Sequence, residues 1–461
     1  MPVEDATFGN VVVKLADLDN QIQLNSNLIG LLSKVATDAS LRKACHKAIY
    51  EQAVTKNAGY DRKDLAQLVD AVNARWQSGD EAQLDEEDTK FMNDTRRAFQ
   101  QNGILMDDAD AAKLADLQQN IRQLEREFAS NLDTDDHALA LDTEELEGVP
   151  EIPGELAELR RLRSNIIGNS ASDMAIWDLP YYTRLYREER TQLNEAEVSE
   201  YFPLAKTLAN MLKLFGRLFG LIFWEIDATV AARLVWHEDV AAYSMWNSAE
   251  EGGDFVGYLY LDLYSRSGRS GMPHCHPLQA GYIKPDGSRH YPSTVLITRF
   301  EPPAADGHCL LQHSEVVLAF HELGHGIHDL VGKCKYSRYH GAETAADFNE
   351  APSQMLEEWC WNAVGLQQLS SHYTTGGTMP DSVIEALVQS RHAAPMVGLL
   401  PQLRITLFDD AVHSSIEDAP LEIGNIYRSC LHIEGIEDVD EEFGYGTYRH
   451  LMNGNDGCMY S

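Results

Sequence analysis

The segment 317–332 constrains the fold of this chain more than any other, because it specifies a helix and places metal-binding side chains on it. Apolar residues recur through it at helical spacing, and its last residue is a glycine, which helix ends favour. Within it, Glu322 follows His321 and precedes His325 in the pattern His-Glu-x-x-His. Positions i and i+4 share one helix face, so both imidazoles can be directed at one metal ion. The alternative is a surface helix with scattered histidines.

Two glutamates complete the predicted site in different roles. Glu322 lies about 100° around the helix from His321, which suits a residue that contacts a metal-bound water rather than the metal. Glu350 lies in a second segment, 347–359, which begins with residues that cap helices and contains Pro352 where a first helical turn tolerates proline. Two histidines and a glutamate with an open fourth position are the donor set of catalytic zinc. The alternative for Glu350 is a carboxylate that only caps its helix.

Periodicity predicts a mainly α-helical protein with a small β-sheet. Residues 1 to about 135 have the pattern of successive helices, and one apolar stripe predicts the core of a helical bundle. That stripe consists of Leu114, Leu117, Ile121, Leu124, Phe128 and Leu132. Aromatic and apolar runs at 234–245, 255–264 and 291–300 predict strands, and helical patterns return after residue 310.

A cluster of glycine and proline between residues 146 and 154 predicts a break in the chain. We therefore expect two lobes: an N-terminal helical lobe over residues 1–150, and a zinc-binding catalytic lobe with the β-sheet over residues 151–461.

Composition limits the partners of this chain. It has 72 acidic against 37 basic residues and a formal net charge of −35, so nucleic acid and membrane surfaces are not expected as partners. Cationic or dipolar substrates are favoured instead. Seven cysteines without a Cys-x-x-Cys pair predict reduced thiols. We find no signal-peptide pattern and no apolar run long enough to span a bilayer, and we expect a cytoplasmic monomer.

Several stretches resemble the thimet oligopeptidase and neurolysin family of zinc peptidases. They are Phe-His-Glu-Leu-Gly-His-Gly-Ile-His at 320–328, Asp-Phe-Asn-Glu-Ala-Pro-Ser-Gln-Met-Leu-Glu-Glu-Trp at 347–359, Tyr-Leu-Tyr-Leu-Asp-Leu-Tyr at 258–264 and Leu-Leu-Gln-His-Ser-Glu at 310–315. The resemblance implies a two-lobed zincin-like helical fold with a deep channel and one zinc ion per chain. It also implies hydrolysis of internal bonds of short peptides by a zinc-bound water that Glu322 activates.

The family pattern changes near the C-terminus. Relatives have a glycine-rich loop there whose histidine and tyrosines stabilise the reaction's oxyanion. His450 and Gly454 fit the start of this loop, whereas Asn455 stands where a tyrosine is expected. The sequence is also shorter than the family pattern at its start, between residues 162 and 176, and at its end. The alternative to an active peptidase is therefore a catalytically impaired zinc- and peptide-binding member, or a truncated gene product. His450 is the second candidate catalytic residue.

Several other polar residues have more than one possible role. A metal-bound histidine usually donates its second N–H to a carboxylate or carbonyl, and Glu343, Asp347 and Asp329 are the nearby candidates. The sequence His-Cys-His at 274–276 suggests either a second metal site or a loop with two solvated histidines. We favour the loop.

Overall fold

The fold is known from a computed structural model. It describes residues 1–81, 83–134, 155–167, 174–175, 178–269, 272–304, 307–345, 348–393, 395–414, 423–430, 436–437, 444–447 and 451. This part of the chain is mainly α-helical and contains a small mixed β-sheet, which confirms the predicted fold class.

Helices account for most of the described residues. They are α1 (Val13–Val35), α2 (Ala39–Tyr60), α3 (Lys63–Ser78), α4 (Glu86–Gln101), α5 (Asp108–Thr134), α6 (Glu155–Ile167), α7 (Leu179–Thr191), α8 (Glu195–Ser199), α9 (Leu204–Phe219), α10 (Ala228–Ala231), α11 (His313–Val331), α12 (Ala351–Glu357), α13 (Ala363–Leu369), α14 (Asp381–Ser390), α15 (Pro395–His413) and α16 (Ile423–Cys430). Asp38 and Asp85 accept backbone N–H groups at the starts of α2 and α4, as acidic N-caps do. Over the described residues, each helix is too short or too polar to cross a membrane.

The strands are β1 (Met174–Ala175), β2 (Leu221–Glu225), β3 (Ala241–Asn247), β4 (Phe255–Tyr264), β5 (His274–Gln279), β6 (Tyr282–Ile283), β7 (Arg289–His290), β8 (Ser293–Phe300) and β9 (Ile436–Glu437). The main sheet has the order β2-β3-β4-β8-β5, with β4 and β8 parallel and the other pairs antiparallel. The run at 234–245 becomes a strand only from Ala241, because turns and bends follow the short helix α10 over residues 232–239.

The chain divides into two compact units. The first comprises Met1–Asp133, Leu218–Glu301 and Glu322–Ala345, and the second comprises Thr134–Arg217, Pro302–His321 and Ala346–Ser461. The division falls inside the continuous helix α11, between His321 and Glu322. The boundary that the sequence suggests near residue 150 lies outside the described residues, so the two predicted lobes remain a prediction.

In the first unit, helices of the N-terminal region fasten the segment that follows α11. Glu87, in the first turn of α4, accepts hydrogen bonds from the backbone N–H groups of Lys335 and Tyr336, at 2.8 and 3.1 Å. The hydroxyl of Tyr336 donates to Asp88, and its ring lies 4.5 Å from that of Phe91. The chain leaving α11 is therefore held by both charge and aromatic packing.

In the second unit, the first half of α11 packs on α9. The rings of Phe215 and Phe320 lie 4.9 Å apart, and both side chains are fully buried. His313, at the start of α11, contacts the carbonyl oxygen of Cys360 through Nε2 at 2.8 Å. Burial lowers the pKa of His313 to about 4, so its imidazole is neutral at pH 7 and donates this hydrogen bond. These contacts fix the helix that carries the candidate site.

The apolar stripe of α5 differs from its prediction. Leu117, Ile121 and Leu124 are 59%, 54% and 64% exposed, so the prediction that they form a bundle core is wrong for the described part of the chain. Periodicity shows that a helix has an apolar face, but the neighbour that covers this face comes from tertiary structure.

Leu259 and Leu117 allow a direct comparison of a buried leucine with an exposed one. Leu259 is fully buried in β4, at the centre of the sheet, so Leu259→Ala should lower the free energy of unfolding by about 2–5 kcal/mol. Leu117→Ala is the matched control and should change it by less than about 0.5 kcal/mol. Urea unfolding followed by circular dichroism measures both values. Equal losses would contradict the exposure of the α5 stripe.

Candidate metal centre

The candidate site begins with two histidines on one face of α11. The structure confirms that residues 321–325 are helical. One nitrogen of His321, one nitrogen of His325 and one carboxylate oxygen of Glu350 all lie within 4.8 Å of one another. The described part of the chain contains no second cluster of three or more metal-binding side chains with this proximity. The arrangement therefore brings together the three residues that the sequence singles out as ligands.

The position of Glu350 follows from the start of α12. Glu350 is the N-cap residue, Pro352 lies in the first turn as predicted, and the Glu350 side chain makes no capping hydrogen bond. The alternative of a capping carboxylate is thus not what the structure shows. Ser353 is fully buried; its hydroxyl donates to the main-chain carbonyl oxygen of Glu350 at 2.8 Å and also lies 3.1 Å from Glu350 Oε2. Glu350 Oε2 lies 3.2 Å from His321 Nε2, so this carboxylate is turned toward the imidazole.

Glu357 orients His321 from the opposite side. His321 Nδ1 lies 2.7 Å from Glu357 Oε1, so we assign the Nδ1 proton to this hydrogen bond. The assignment leaves the lone pair of Nε2 on the side of Glu350, which is the tautomer a metal ligand needs. The sequence analysis missed Glu357, although a signal existed. Glu357 follows Glu350 by seven residues, two helical turns, and so shares its helix face.

The carboxylates that the sequence analysis suggested for this supporting role lie elsewhere or are not described. Asp329 is buried, and its Oδ1 lies 3.4 Å from Nε2 of His340. Burial raises the pKa of Asp329 well above its usual value. Glu343 lines a cavity of about 260 Å³ beside α1 and α2, and burial raises its pKa also. Asp347 lies outside the described residues.

Glu322 lies between the two histidines in sequence but faces β5. Its side chain is 8% exposed, and its Oε2 accepts a hydrogen bond from the backbone N–H of Cys275 at 2.8 Å. A carboxylate that accepts a backbone N–H is favoured in its ionised form. The geometry thus supplies a buried carboxylate that follows His321 directly in the helix.

The His-Cys-His sequence forms part of β5, so the prediction of a loop with two solvated histidines is wrong. His276 Nε2 contacts the carbonyl oxygen of Asn27 in α1 at 2.8 Å. Burial lowers the pKa of His274 to about 3 and that of His276 to about 4. Both rings are therefore neutral at pH 7 and pack between the sheet and α1. His450, the other candidate catalytic residue, lies outside the described residues, as do Gly454 and Asn455.

The donor set suits a metal. A tetrahedral zinc ion with ligand distances of about 2.0–2.2 Å holds its ligand atoms roughly 3.5 Å apart, which is close to the spacing of these side chains. Two imidazoles and one carboxylate leave a fourth position for water or substrate. The residues present therefore fit a catalytic zinc ion.

Several peptidases are similar in sequence to this chain. Saccharolysin from Saccharomyces cerevisiae is 39% identical over 289 residues, which cover 62% of this chain and 40% of that protein. The thimet-like oligopeptidase of Dictyostelium discoideum is 30% identical, over 62% of this chain and 42% of its own length. Oligopeptidase A of Escherichia coli is 27% identical, over 66% and 43% respectively. The chain thus spans about two fifths of the length of these curated relatives.

The family model described as peptidase family M3 matches residues 71–460. This match covers most of the chain, including the helix with His321 and His325 and the helix start with Glu350. The protein therefore belongs to peptidase family M3.

Proposed function

We propose that this protein is a zinc-dependent metalloendopeptidase that hydrolyses internal bonds of short peptides. The observation that carries the proposal is the convergence of His321, His325 and Glu350 in a member of peptidase family M3. Glu322 follows His321 directly in the same helix. The relatives named above include proteins called oligopeptidases, which supports short peptides as the substrate class.

The three converging residues would hold one zinc ion per chain. When bound, zinc acts as a Lewis acid that lowers the pKa of a coordinated water and polarises the scissile carbonyl. Glu357 would keep His321 in the tautomer that presents Nε2 as a ligand. Ser353 would hold the Glu350 carboxylate in place.

Glu322 would act as the general base and then the general acid. Its carboxylate would accept a proton from the attacking water and pass it to the amine of the leaving peptide. Burial shields this carboxylate from bulk water, which strengthens its interaction with a nearby proton donor. His450 would be a further donor to the oxyanion of the tetrahedral intermediate.

We also propose the charge of the preferred substrates, the oligomeric state and the location of the protein. The net charge of −35 favours cationic peptides and disfavours nucleic acid or membrane surfaces as partners. We propose that the protein works as a monomer in the cytoplasm. The alternative, an impaired member that binds zinc and peptides, makes a different prediction for the cleavage assay below.

Glu322→Gln should abolish cleavage and leave zinc bound. Loss of the general base should lower kcat by about 10²–10⁴-fold, because the amide cannot accept a proton at this position. The measurement is cleavage of internally quenched fluorescent peptides together with metal analysis. Glu315→Gln, in the first turn of the same helix, is the control and should cleave like the unaltered protein. If the unaltered protein loaded with zinc cleaves none of a peptide panel, the impaired alternative is correct.

Substitution of Glu350 or Glu357 should weaken zinc binding, whereas substitution of the neighbouring Glu358 should not. Glu350→Gln removes an anionic ligand, and Glu357→Gln removes the partner of His321 Nδ1, so both should weaken zinc binding. The loss for Glu357→Gln should be about 10–100-fold. Glu358→Gln is the matched control, since the Glu358 carboxylate pairs with Arg391. Competition with a chelator measures the three affinities, and unchanged retention in Glu350→Gln would mean that another residue completes the site.

Salt should slow the cleavage of basic peptides. The acidic surface would raise the local concentration of a cationic substrate, and added salt screens this attraction over about 10 Å at 0.1 M. We expect kcat/KM for a lysine-rich peptide to fall as the salt concentration rises from about 0.02 to about 0.3 M. A neutral peptide of equal length is the control. Equal salt dependence for both peptides would rule out steering by charge.

A further inference from the structure

The carboxylate of Glu322 is held by the backbone of an edge strand. The N–H of Cys275, in β5, donates to Glu322 Oε2 over 2.8 Å. Both residues belong to the first compact unit, and Glu322 is buried. This distance is that of a well-formed N–H to oxygen hydrogen bond. The bond therefore restrains the carboxylate firmly.

The place of Cys275 in the sheet explains why its N–H is directed at Glu322. β5 lies at the edge of the five-stranded sheet, and its partner among the described strands is β8. Successive N–H groups of an edge strand alternate between the neighbouring strand and the open side. Pro277 has the same parity as Cys275, but a proline nitrogen carries no hydrogen. Of these two positions, only Cys275 can donate from the open side of β5.

The side chain of Cys275 packs the strand against the helix. Its Sγ lies 3.1 Å from Thr294 Oγ1 in β8, and a methyl group added at Gly326 of α11 would lie 3.4 Å from Sγ. Strand and helix thus approach closely here, and Gly326 places no side chain between them. Burial raises the pKa of the thiol, so the side chain stays neutral and serves as a packing group. The main-chain N–H is the part of this residue that reaches Glu322.

We propose that Cys275 is a positioning residue, whose N–H fixes one carboxylate oxygen of Glu322 and leaves the other oriented for proton transfer. The inference rests on the proposed function, because it assigns a role within the same reaction. Without this bond, the terminal torsion of the Glu322 side chain is broad, so the carboxylate spends less time in a productive orientation. The loss should appear in kcat rather than in KM, since the bond orients the base and does not hold the peptide.

A single-atom change tests this role. The peptide bond between residues 274 and 275 is replaced by an ester, by incorporating lactic acid at position 275 through nonsense suppression. The matched control is Cys275→Ala, which has the same methyl side chain and keeps the N–H. We expect kcat of the ester variant to be about 10–100-fold below that of Cys275→Ala. KM and zinc content should be equal in the two variants. A quenched fluorescent peptide gives kcat and KM.

The results of this experiment distinguish positioning of Glu322 from a purely structural role of the same hydrogen bond. Equal kcat values for the ester variant and Cys275→Ala overturn the positioning role and leave the proposed function intact. A lower zinc content in the ester variant also overturns it, because the bond then supports the metal site rather than the orientation of the base. In the Glu322→Gln background, the ester should cause no further loss of the residual rate, and a further loss of the same size contradicts the role. If the unaltered protein cleaves no peptide, the proposed function itself fails.

Discussion

The i to i+4 spacing of two histidines on a continuous helix is the constraint on which the candidate site depends. Because α11 is unbroken from His313 to Val331, His321 and His325 are held on one face by backbone hydrogen bonds alone. Glu322 leaves the helix in another direction and meets β5. One helix thus separates the group that would bind metal from the group that would move protons, and each face is completed by a different element.

The sequence predicts the local parts of this arrangement well. The helix with its two histidines, the helix start at Glu350 and the strand β4 all follow from short-range signals: helical spacing, a proline in a first turn, and a run of aromatic and apolar residues. These signals are strong because each depends on backbone geometry within a few residues. The fold class follows from the same signals added along the chain.

The parts that depend on distant contacts could not be predicted in this way. Glu357 supports His321 because α12 lies beside α11, and the carboxylates chosen from the sequence were only those near the histidines along the chain. His274 and His276 looked like solvated loop residues, but pairing with β8 places them in a buried strand. The α5 stripe has the periodicity of a core face, yet Leu117 is exposed. In each case the neighbour in space, not the local pattern, determines the environment.

The first unit is built from three segments that lie far apart in the sequence, and this separation affects how the chain folds during synthesis. Its three segments are separated in sequence by residues 134–217 and 302–321, and the segment after α11 is fastened to Glu87 and Asp88, about 250 residues earlier. Contacts of such sequence separation form slowly, because closing a long loop costs entropy before the contact is gained. A ribosome that elongates by about 5–20 residues per second takes tens of seconds to cover that interval. The acidic first turn of α4 therefore lacks its basic and aromatic partners in the nascent chain until translation has passed α11.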